Sequence, residues 1–273
     1  MRRSYALAIA VLVGAGGACT TYAAGRVDAA DRATQAEAHL PATAMAETSA
    51  PAAKPVLPFN AKLASADIPE PGGGVRSGGC SGALIDPQWV ITAGHCFHDL
   101  SGNRVGGRPR YHMSVTVGKT KNSDPGGRTA WVVDVHQSPV NDLAVVKLST
   151  PITGITPMTL AQTTPTVGQH IQFAGWGSTS ATVVAPSDHL KRGEFTVAKL
   201  EETTLDATPT VPRTVENSPC HDDSGSPWFT TDDDVTGRLV AIEDSGPDCP
   251  QPGTEILARV DVVVDWVHRQ LGD

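Results

Sequence analysis

Short apolar segments separated by turn residues run along the chain from Cys80 onward. Their spacing, and the Gly, Pro, Asn and Asp residues at their ends, are typical of strands in an antiparallel barrel or sandwich. No alternation of strands and helices of the α/β kind is visible, so the pattern indicates an all-β domain. The predicted strands are residues 82–85, 89–93, 111–117, 129–135, 143–148, 169–174, 194–200 and 239–242.

A single helix is predicted, at the carboxyl end. Val263, Trp266, Val267 and Leu271 recur at spacings that place them on one helical face. We expect this apolar stripe to pack against the β-strands.

The first 23 residues have the pattern of an export signal. Arg2 and Arg3 precede a short apolar run at residues 5–13, and small residues follow. This run is too short to span a bilayer, and no later segment is long enough. We therefore expect a secreted protein without a membrane span, cleaved near Ala23. The alternative is cleavage before Cys19, which would become a lipid anchor on the outer face of the membrane.

Residues 24–55 are rich in Ala, Thr, Glu and Pro and have almost no large apolar side chains. Such a segment cannot bury enough surface to offset the entropy lost on ordering. We interpret it as a disordered spacer or propeptide. Ordered structure is expected to begin between Val56 and Val75, which leaves residues 56–273 as one folded domain.

Charge and cysteine content narrow the possible partners and the compartment. The net charge is −8, and no run of Lys or Arg exceeds two residues, which argues against nucleic acid as a partner. Four of the five cysteines lie in the predicted domain, and an exported chain favours disulfides. Four cysteines allow three sets of pairings, which the residues alone leave open.

Three segments combine the residues of a hydrolytic site: TAGHC at 92–96, NDLAVVKL at 141–148 and DSGSP at 223–227. Together they resemble the trypsin/chymotrypsin family of serine peptidases, in its bacterial secreted form. The order His, Asp, Ser differs from that of subtilisins and α/β-hydrolases, and no G-x-S-x-G motif of lipases is present. The resemblance extends over about residues 75–271.

The resemblance implies two six-stranded antiparallel β-barrels followed by a C-terminal α-helix. It further implies a secreted monomer that acts on protein or peptide substrates without a cofactor or metal. A serine hydroxyl is a weak nucleophile until an imidazole removes its proton, and a buried carboxylate holds that imidazole in the correct tautomer. Ser224 is thus the expected nucleophile, His95 the general base and then acid, and Asp142 the orienting carboxylate.

The family also assigns two backbone N–H donors to the oxyanion, which here belong to Asp222 and Ser224. Members of the family have glycine at the first of these positions. A carboxylate beside a developing negative charge is unfavourable unless it points to solvent, and loss of one donor costs about 100- to 1,000-fold in turnover. The alternative function is therefore a catalytically weak or inactive homologue that acts as an extracellular binding protein.

The resemblance places the substrate pocket at Ser218, Asp244, Ser245, Gly246 and Glu255. Serine at position 218, the pocket floor in the family, resembles chymotrypsin-like enzymes, which prefer large apolar side chains. A carboxylate at Glu255 would accept a Lys or Arg side chain or would fill the pocket. The position beside the triad aspartate, where the family has serine, is Asp244, or Ser245 if the register shifts by one residue. Two carboxylates in contact would raise the pKa of one of them, which favours the shift.

Two disulfides follow from the resemblance: Cys80–Cys96 beside the histidine and Cys220–Cys249 across the pocket. In animal members a freed amino terminus pairs with the aspartate before the nucleophile, Asp223 here. No Ile-Val-Gly-Gly-like start precedes Cys80, so the sequence identifies no activation cleavage site. Bacterial glutamyl endopeptidases organise this region differently.

Overall fold

The computed structural model describes residues 56–272. The export signal, the Cys19 anchor and the spacer were predicted for residues 1–55, which lie outside this range. Within the described part of the chain, none of the helices has the length and apolarity needed to cross a bilayer.

The first half of the domain is a closed antiparallel barrel with the strand order β1-β2-β3-β6-β5-β4. Its centre is filled by fully buried aliphatic side chains such as Leu63, Leu84, Ile91 and Val145. Each such side chain contributes about 1.5 to 3 kcal/mol by leaving water. The strands are β1 (Asn60–Pro69), β2 (Val75–Asp86), β3 (Trp89–Thr92), β4 (Ser114–Val117), β5 (Arg128–Gln137) and β6 (Ala144–Leu148).

The second half closes in the order β8-β9-β10-β13-β12-β11, and the two-residue β7 (Thr159–Leu160) joins β12 in parallel. Its core is aromatic, and the rings of Phe195 and Trp228 pack edge to face with centroids 4.5 Å apart. The other strands are β8 (His170–Gly175), β9 (Lys191–Leu200), β10 (Thr204–Pro209), β11 (Pro227–Thr230), β12 (Arg238–Ser245) and β13 (Glu255–Arg259).

The predicted helix is α1 (Val264–Leu271). Val264 and Val267 are buried, and Trp266 and Leu271 pack half-buried against the core. The helix ends at Gly272, which adopts a left-handed conformation with φ of 88° and caps the last turn. The fold is therefore two six-stranded antiparallel barrels and a C-terminal helix, as the resemblance implied.

Every predicted strand overlaps an observed one, but the sequence pattern missed β1, β7, β10, β11 and β13. β1 (NAKLASADIP) and β10 (TLDATP) contain Ala, Lys, Asp and Pro, which are poor strand formers. These segments become strands because barrel closure supplies hydrogen-bonding neighbours on both sides, as β1 obtains from β2 and β4.

Candidate active site

His95 lies on a single 3₁₀ turn, Gly94–Cys96, that follows β3 at the edge of the first barrel. The disulfide Cys80–Cys96 ties this turn to β2. Gln137 at the end of β5 donates its side-chain amide to the Gly94 carbonyl at 2.9 Å. The imidazole is thus presented by a covalently and hydrogen-bonded turn, with 40% of its side chain exposed.

Asp142 fixes the imidazole at two points. One oxygen accepts the backbone N–H of His95 at 2.9 Å, and the other lies 2.5 Å from its ring Nδ1. Arg104 donates to the first oxygen at 3.2 Å. The preceding residue, Asn141, donates its amide to the Arg259 carbonyl at 2.9 Å and so anchors the loop to the second barrel.

The two groups shift each other's pKa in opposite directions. Burial acts to lower the pKa of His95, but the hydrogen bond and charge of Asp142 outweigh it and raise that pKa above its ordinary value. Burial acts to raise the pKa of Asp142, but the contacts with His95 and Arg104 hold it below its usual range. The geometry therefore stabilises an imidazolium beside a carboxylate.

Ser224 lies in the turn between the Cys220 disulfide and β11. Its carbonyl accepts the N–H of Ser81 at 2.8 Å. Gly225 has φ of 84°, and a Cβ there would lie 2.1 Å from the hydroxyl oxygen of Thr92. The Ser224 turn therefore packs against the end of β3, next to the segment that carries His95. Among the hydrogen bonds within residues 56–272, none joins the Ser224 hydroxyl to the His95 ring, and such bonds often tighten only when substrate binds.

The backbone N–H groups of residues 222–226 fall into two sets. Those of Asp223, Gly225 and Ser226 donate to the carbonyls of Cys220, Glu243 and Asp223. Those of Asp222 and Ser224 have no acceptor among the hydrogen bonds of the described residues. Two unoccupied donors on alternate residues of one turn are what binding of an oxyanion requires.

Asp222 has φ of 70°, the left-handed region where glycine is favoured. Its carboxylate points neither to solvent nor into the cleft beside Ser224: one oxygen accepts the Gly79 N–H at 3.2 Å, and the residue is not part of the cleft lining. Burial raises the pKa of Asp222, against the lowering effect of Gly79 and nearby cations that include Lys62. The carboxylate therefore lies behind the turn, which corrects the expectation that only solvent exposure would remove it from the oxyanion.

Asp244, and not Ser245, lies beside His95 and Asp142. A carboxylate oxygen of Asp244 lies within 4.8 Å of a ring nitrogen of His95 and of a carboxylate oxygen of Asp142. Ser245, by contrast, is exposed. An irregularity in the pairing of β12 with β13 falls between Glu243 and Ser245, and it sets this orientation. Burial and then the charge of Asp142 raise the pKa of Asp244 to about 6. The one-residue shift that would place Ser245 beside Asp142 does not occur. Two carboxylates are therefore close together, and the pKa of Asp244 is raised.

A cleft of about 170 Å³ opens beside Ser224. Asp244, Ser245, Gly246 and Glu255 line it, as the resemblance implied. Ser218 does not: it is fully buried, and its hydroxyl donates to Asn217.

Glu255 occupies space within the pocket wall. A Cβ at Gly246 would lie 1.5 Å from a Glu255 oxygen, so a side chain there would displace the Glu255 carboxylate. The buried guanidinium of Arg213 forms an ion pair with the same carboxylate. Burial raises the pKa of Glu255 to about 7, against the influence of Arg213. A basic substrate side chain would thus meet a carboxylate whose charge is already paired.

Sequence reasoning missed Lys191, Arg213 and Glu243. Glu243 is buried, accepts the indole N–H of Trp228 at 2.8 Å and lines the cleft. Burial, followed by the charge of Glu255, raises the pKa of Glu243 well above its ordinary value. The one signal in the sequence for this residue was its charge, which directly follows the predicted apolar strand 239–242. The second disulfide, Cys220–Cys249, joins the two walls of this cleft.

The family model described as Trypsin matches residues 57–267. Brachyurin from Leptuca pugilator is 25% identical over 209 residues, which cover 71% of this chain and 88% of that protein. Anionic trypsin from Bos taurus is 26% identical over 214 residues, which cover 70% and 79%. These relatives come from animals, so the bacterial subtype stays a prediction.

A solved structure shares the fold. Neuropsin, a serine protease expressed in the limbic system of mouse brain, superposes with a TM-score of 0.61 at 20% identity, covering 79% of this chain and 95% of that one. The family model covers well over half of the chain: its range contains both barrels and ends within the helix. The chain therefore belongs to the trypsin family of serine endopeptidases.

Proposed function

We propose that the protein is a secreted endopeptidase that cleaves peptide bonds through an acyl-enzyme formed on Ser224. His95 takes the proton of the Ser224 hydroxyl as the oxygen attacks the scissile carbonyl, and later delivers it to the leaving amine. Asp142 holds the proton on Nδ1, which leaves Nε2 free as the base. Water then attacks the ester, His95 again moves the proton, and the acid product leaves.

The observation that carries this proposal is the pair of unoccupied N–H donors at Asp222 and Ser224, in a turn packed against the histidine segment. Donors held in place before the reaction stabilise the tetrahedral oxyanion without reorganisation. The left-handed backbone of Asp222 stores roughly 1 to 3 kcal/mol of strain, which is typical of functional sites. Its carboxylate is held behind the turn by Gly79, which reduces repulsion of the oxyanion.

Export is proposed on two grounds. Both disulfides favour an oxidising compartment, and residues 1–23 have the composition of a signal peptide. A monomer in solution and a lipid anchor at Cys19 stay predictions.

A catalytically weak homologue that binds proteins outside the cell is the second candidate. It is favoured by two acidic departures from the family pattern, Asp222 and Asp244. The extra carboxylate beside His95 has a pKa of about 6 and is therefore charged at neutral pH. Two charged carboxylates, Asp142 and Asp244, thus act on the His95 imidazole at neutral pH, where the family pattern has one.

A fluorophosphonate probe distinguishes the two candidates, because it modifies only a serine whose hydroxyl is activated. We expect purified protein to be labelled at Ser224, with labelling abolished in both Ser224→Ala and His95→Ala. His112→Ala is the matched control, since His112 forms an equivalent pair with Asp67 on the surface and should leave labelling unchanged. An unlabelled wild-type protein that is folded and binds peptides would favour the binding function.

Asp244→Asn is expected to move the acid limb of the kcat/KM profile to lower pH. Above about pH 6 the wild-type carboxylate is charged, and its charge is one of the influences that raise the pKa of His95. The amide lacks that charge. Stability should also change: because the folded pKa of Asp244 lies above the ordinary 3.8, this carboxyl contributes stability at pH 4 that is lost as pH rises to about 6. The amide lacks that contribution, so the melting temperature of the wild type should fall more between the two pH values than that of Asp244→Asn.

The measurements are pH-rate profiles and melting temperatures at pH 4 and pH 7.5. Asp232→Asn, at an exposed carboxylate just after β11 and outside the lining of the cleft, is the control and should change neither. An acid limb that stays in place in Asp244→Asn would show that the second carboxylate does not act on the imidazole.

A further inference from the structure

A buried ion pair lies directly behind the nucleophile turn. The Lys191 ammonium is 2.6 Å from a carboxylate oxygen of Asp223, and both side chains are fully buried. An unpaired carboxylate at this position would be strongly destabilising, so the turn depends on its counter-ion. Lys191 is the first residue of β9 and therefore belongs to the rigid wall of the second barrel.

The same ammonium holds two further segments. It donates to the carbonyl of Ser178, which follows β8, and to that of Ser218, which leads into the nucleophile turn, both at 3.0 Å. An ammonium has three N–H donors, so all of them are used. One side chain thus joins the loop after β8, the approach to the turn and the turn itself.

The surroundings of the Asp223 carboxylate are closed. It also accepts the N–H groups of Gly177 at 2.7 Å and Cys220 at 2.9 Å. A Cβ at Gly175 or Gly177 would lie 2.1 or 2.3 Å from atoms of this carboxylate. Gly175 and Gly177, on either side of Trp176, are therefore needed for the close approach of the Asp223 carboxylate to this segment. Within residues 56–272, the carboxylate already has a cation and two N–H donors.

We infer that Lys191 is a positioning residue that holds Asp223, and with it the free N–H groups of Asp222 and Ser224, in the active arrangement. A freed amino terminus is then not needed as the counter-ion. The active arrangement is built into the barrel and forms when the domain folds. This inference rests on the proposed endopeptidase function.

The first test asks whether activity requires a new amino terminus. Purified full chain is labelled with the fluorophosphonate probe and weighed intact by mass spectrometry, before and after limited proteolysis of the spacer. We expect molecules that keep residues 24–55 to be labelled at a rate within twofold of trimmed molecules. Labelling at least tenfold faster in chains cut between residues 56 and 75 would overturn the inference while leaving the proposed function. No labelling in either form would overturn both.

The second test removes the cation. Lys191→Met is expected to lower kcat at least tenfold with KM within threefold, because the oxyanion donors act in the transition state and not in substrate binding. Lys199→Met is the matched control: it lies on the same strand, with 63% of its side chain exposed and Glu201 as its partner, and should leave both constants within twofold.

A variant without either charge separates positioning from folding. Lys191→Met combined with Asp223→Asn leaves no unpaired charge in the interior, and replacement of both members of a buried pair is often neutral for stability. We expect it to fold, by circular dichroism and melting temperature, and still to show kcat reduced at least tenfold. Wild-type kcat in this folded double variant would overturn the inference.

Discussion

Asp142→Asn is expected to lower kcat about 10,000-fold while the fold is preserved. One carboxylate oxygen of Asp142 is surrounded by donors, the His95 N–H at 2.9 Å and the Arg104 guanidinium at 3.2 Å. The carbonyl oxygen of asparagine must therefore take that place. Its NH₂ group then faces Nδ1 of His95 and forces the proton of the imidazole onto Nε2, where it blocks removal of the Ser224 proton.

The measurement is kcat on a peptide amide substrate, together with the melting temperature. The chain contains a matched control in Asp67, which accepts the N–H of His112 at 3.0 Å and lies 2.6 Å from its Nδ1. The same substitution there changes a similar contact on the surface, and kcat should stay within twofold. If Asp142→Asn kept more than a tenth of wild-type kcat, Asp142 could not be the residue that sets the tautomer.

Gly225→Ala is expected to lower kcat at least 100-fold and to destabilise the protein by about 3 kcal/mol. Its φ of 84° disfavours a side chain, and its Cβ would lie 2.4 Å from the Ser81 carbonyl oxygen and 2.7 Å from the Ala93 nitrogen. Both are backbone atoms and cannot move aside. The nucleophile turn must retreat from β3 by about 1 Å, and a displacement of that size costs about 100-fold in rate.

Gly154→Ala separates the cost of the left-handed backbone from the cost of the steric clash. Gly154 has a similar φ of 81°, but a Cβ there would meet nothing within 4 Å. Only the backbone cost should remain, about 1 kcal/mol, with kcat unchanged. The measurements are the free energy of unfolding in urea and kcat for both variants. Equal losses in the two variants would mean that contact with β3 does not hold the Ser224 turn.

Residues whose role depends on distant partners gave little signal in the sequence. Lys191 begins the letters KRGEF, which look like a solvated strand end, yet its side chain is fully buried against Asp223. Arg213 lies in a polar loop segment, yet it is buried against Glu255. A charged side chain is buried only where a partner compensates its charge, and only the fold shows which residue that partner is.

The choice between Asp244 and Ser245 illustrates the same limit. Successive residues of a strand point to opposite faces, so one position of register decides which side chain reaches His95. The irregularity between β12 and β13 makes that choice, and it directs the carboxylate toward Asp142. The direction of the Asp222 carboxylate likewise depends on β2, because one of its oxygens accepts the Gly79 N–H.

The sequence by itself determined the all-β class and the candidate triad, and the family resemblance that its motifs carry implied the two cysteine pairs. Those conclusions were accessible because each motif is contiguous: the chemistry of a nucleophile turn or a histidine turn constrains neighbouring residues in the chain. Tertiary structure alone decided the second carboxylate beside His95, the burial of Glu255 with Arg213, and the cation behind Ser224. Each of these joins segments that only barrel closure brings together, and their energetics depend on burial that no local pattern encodes.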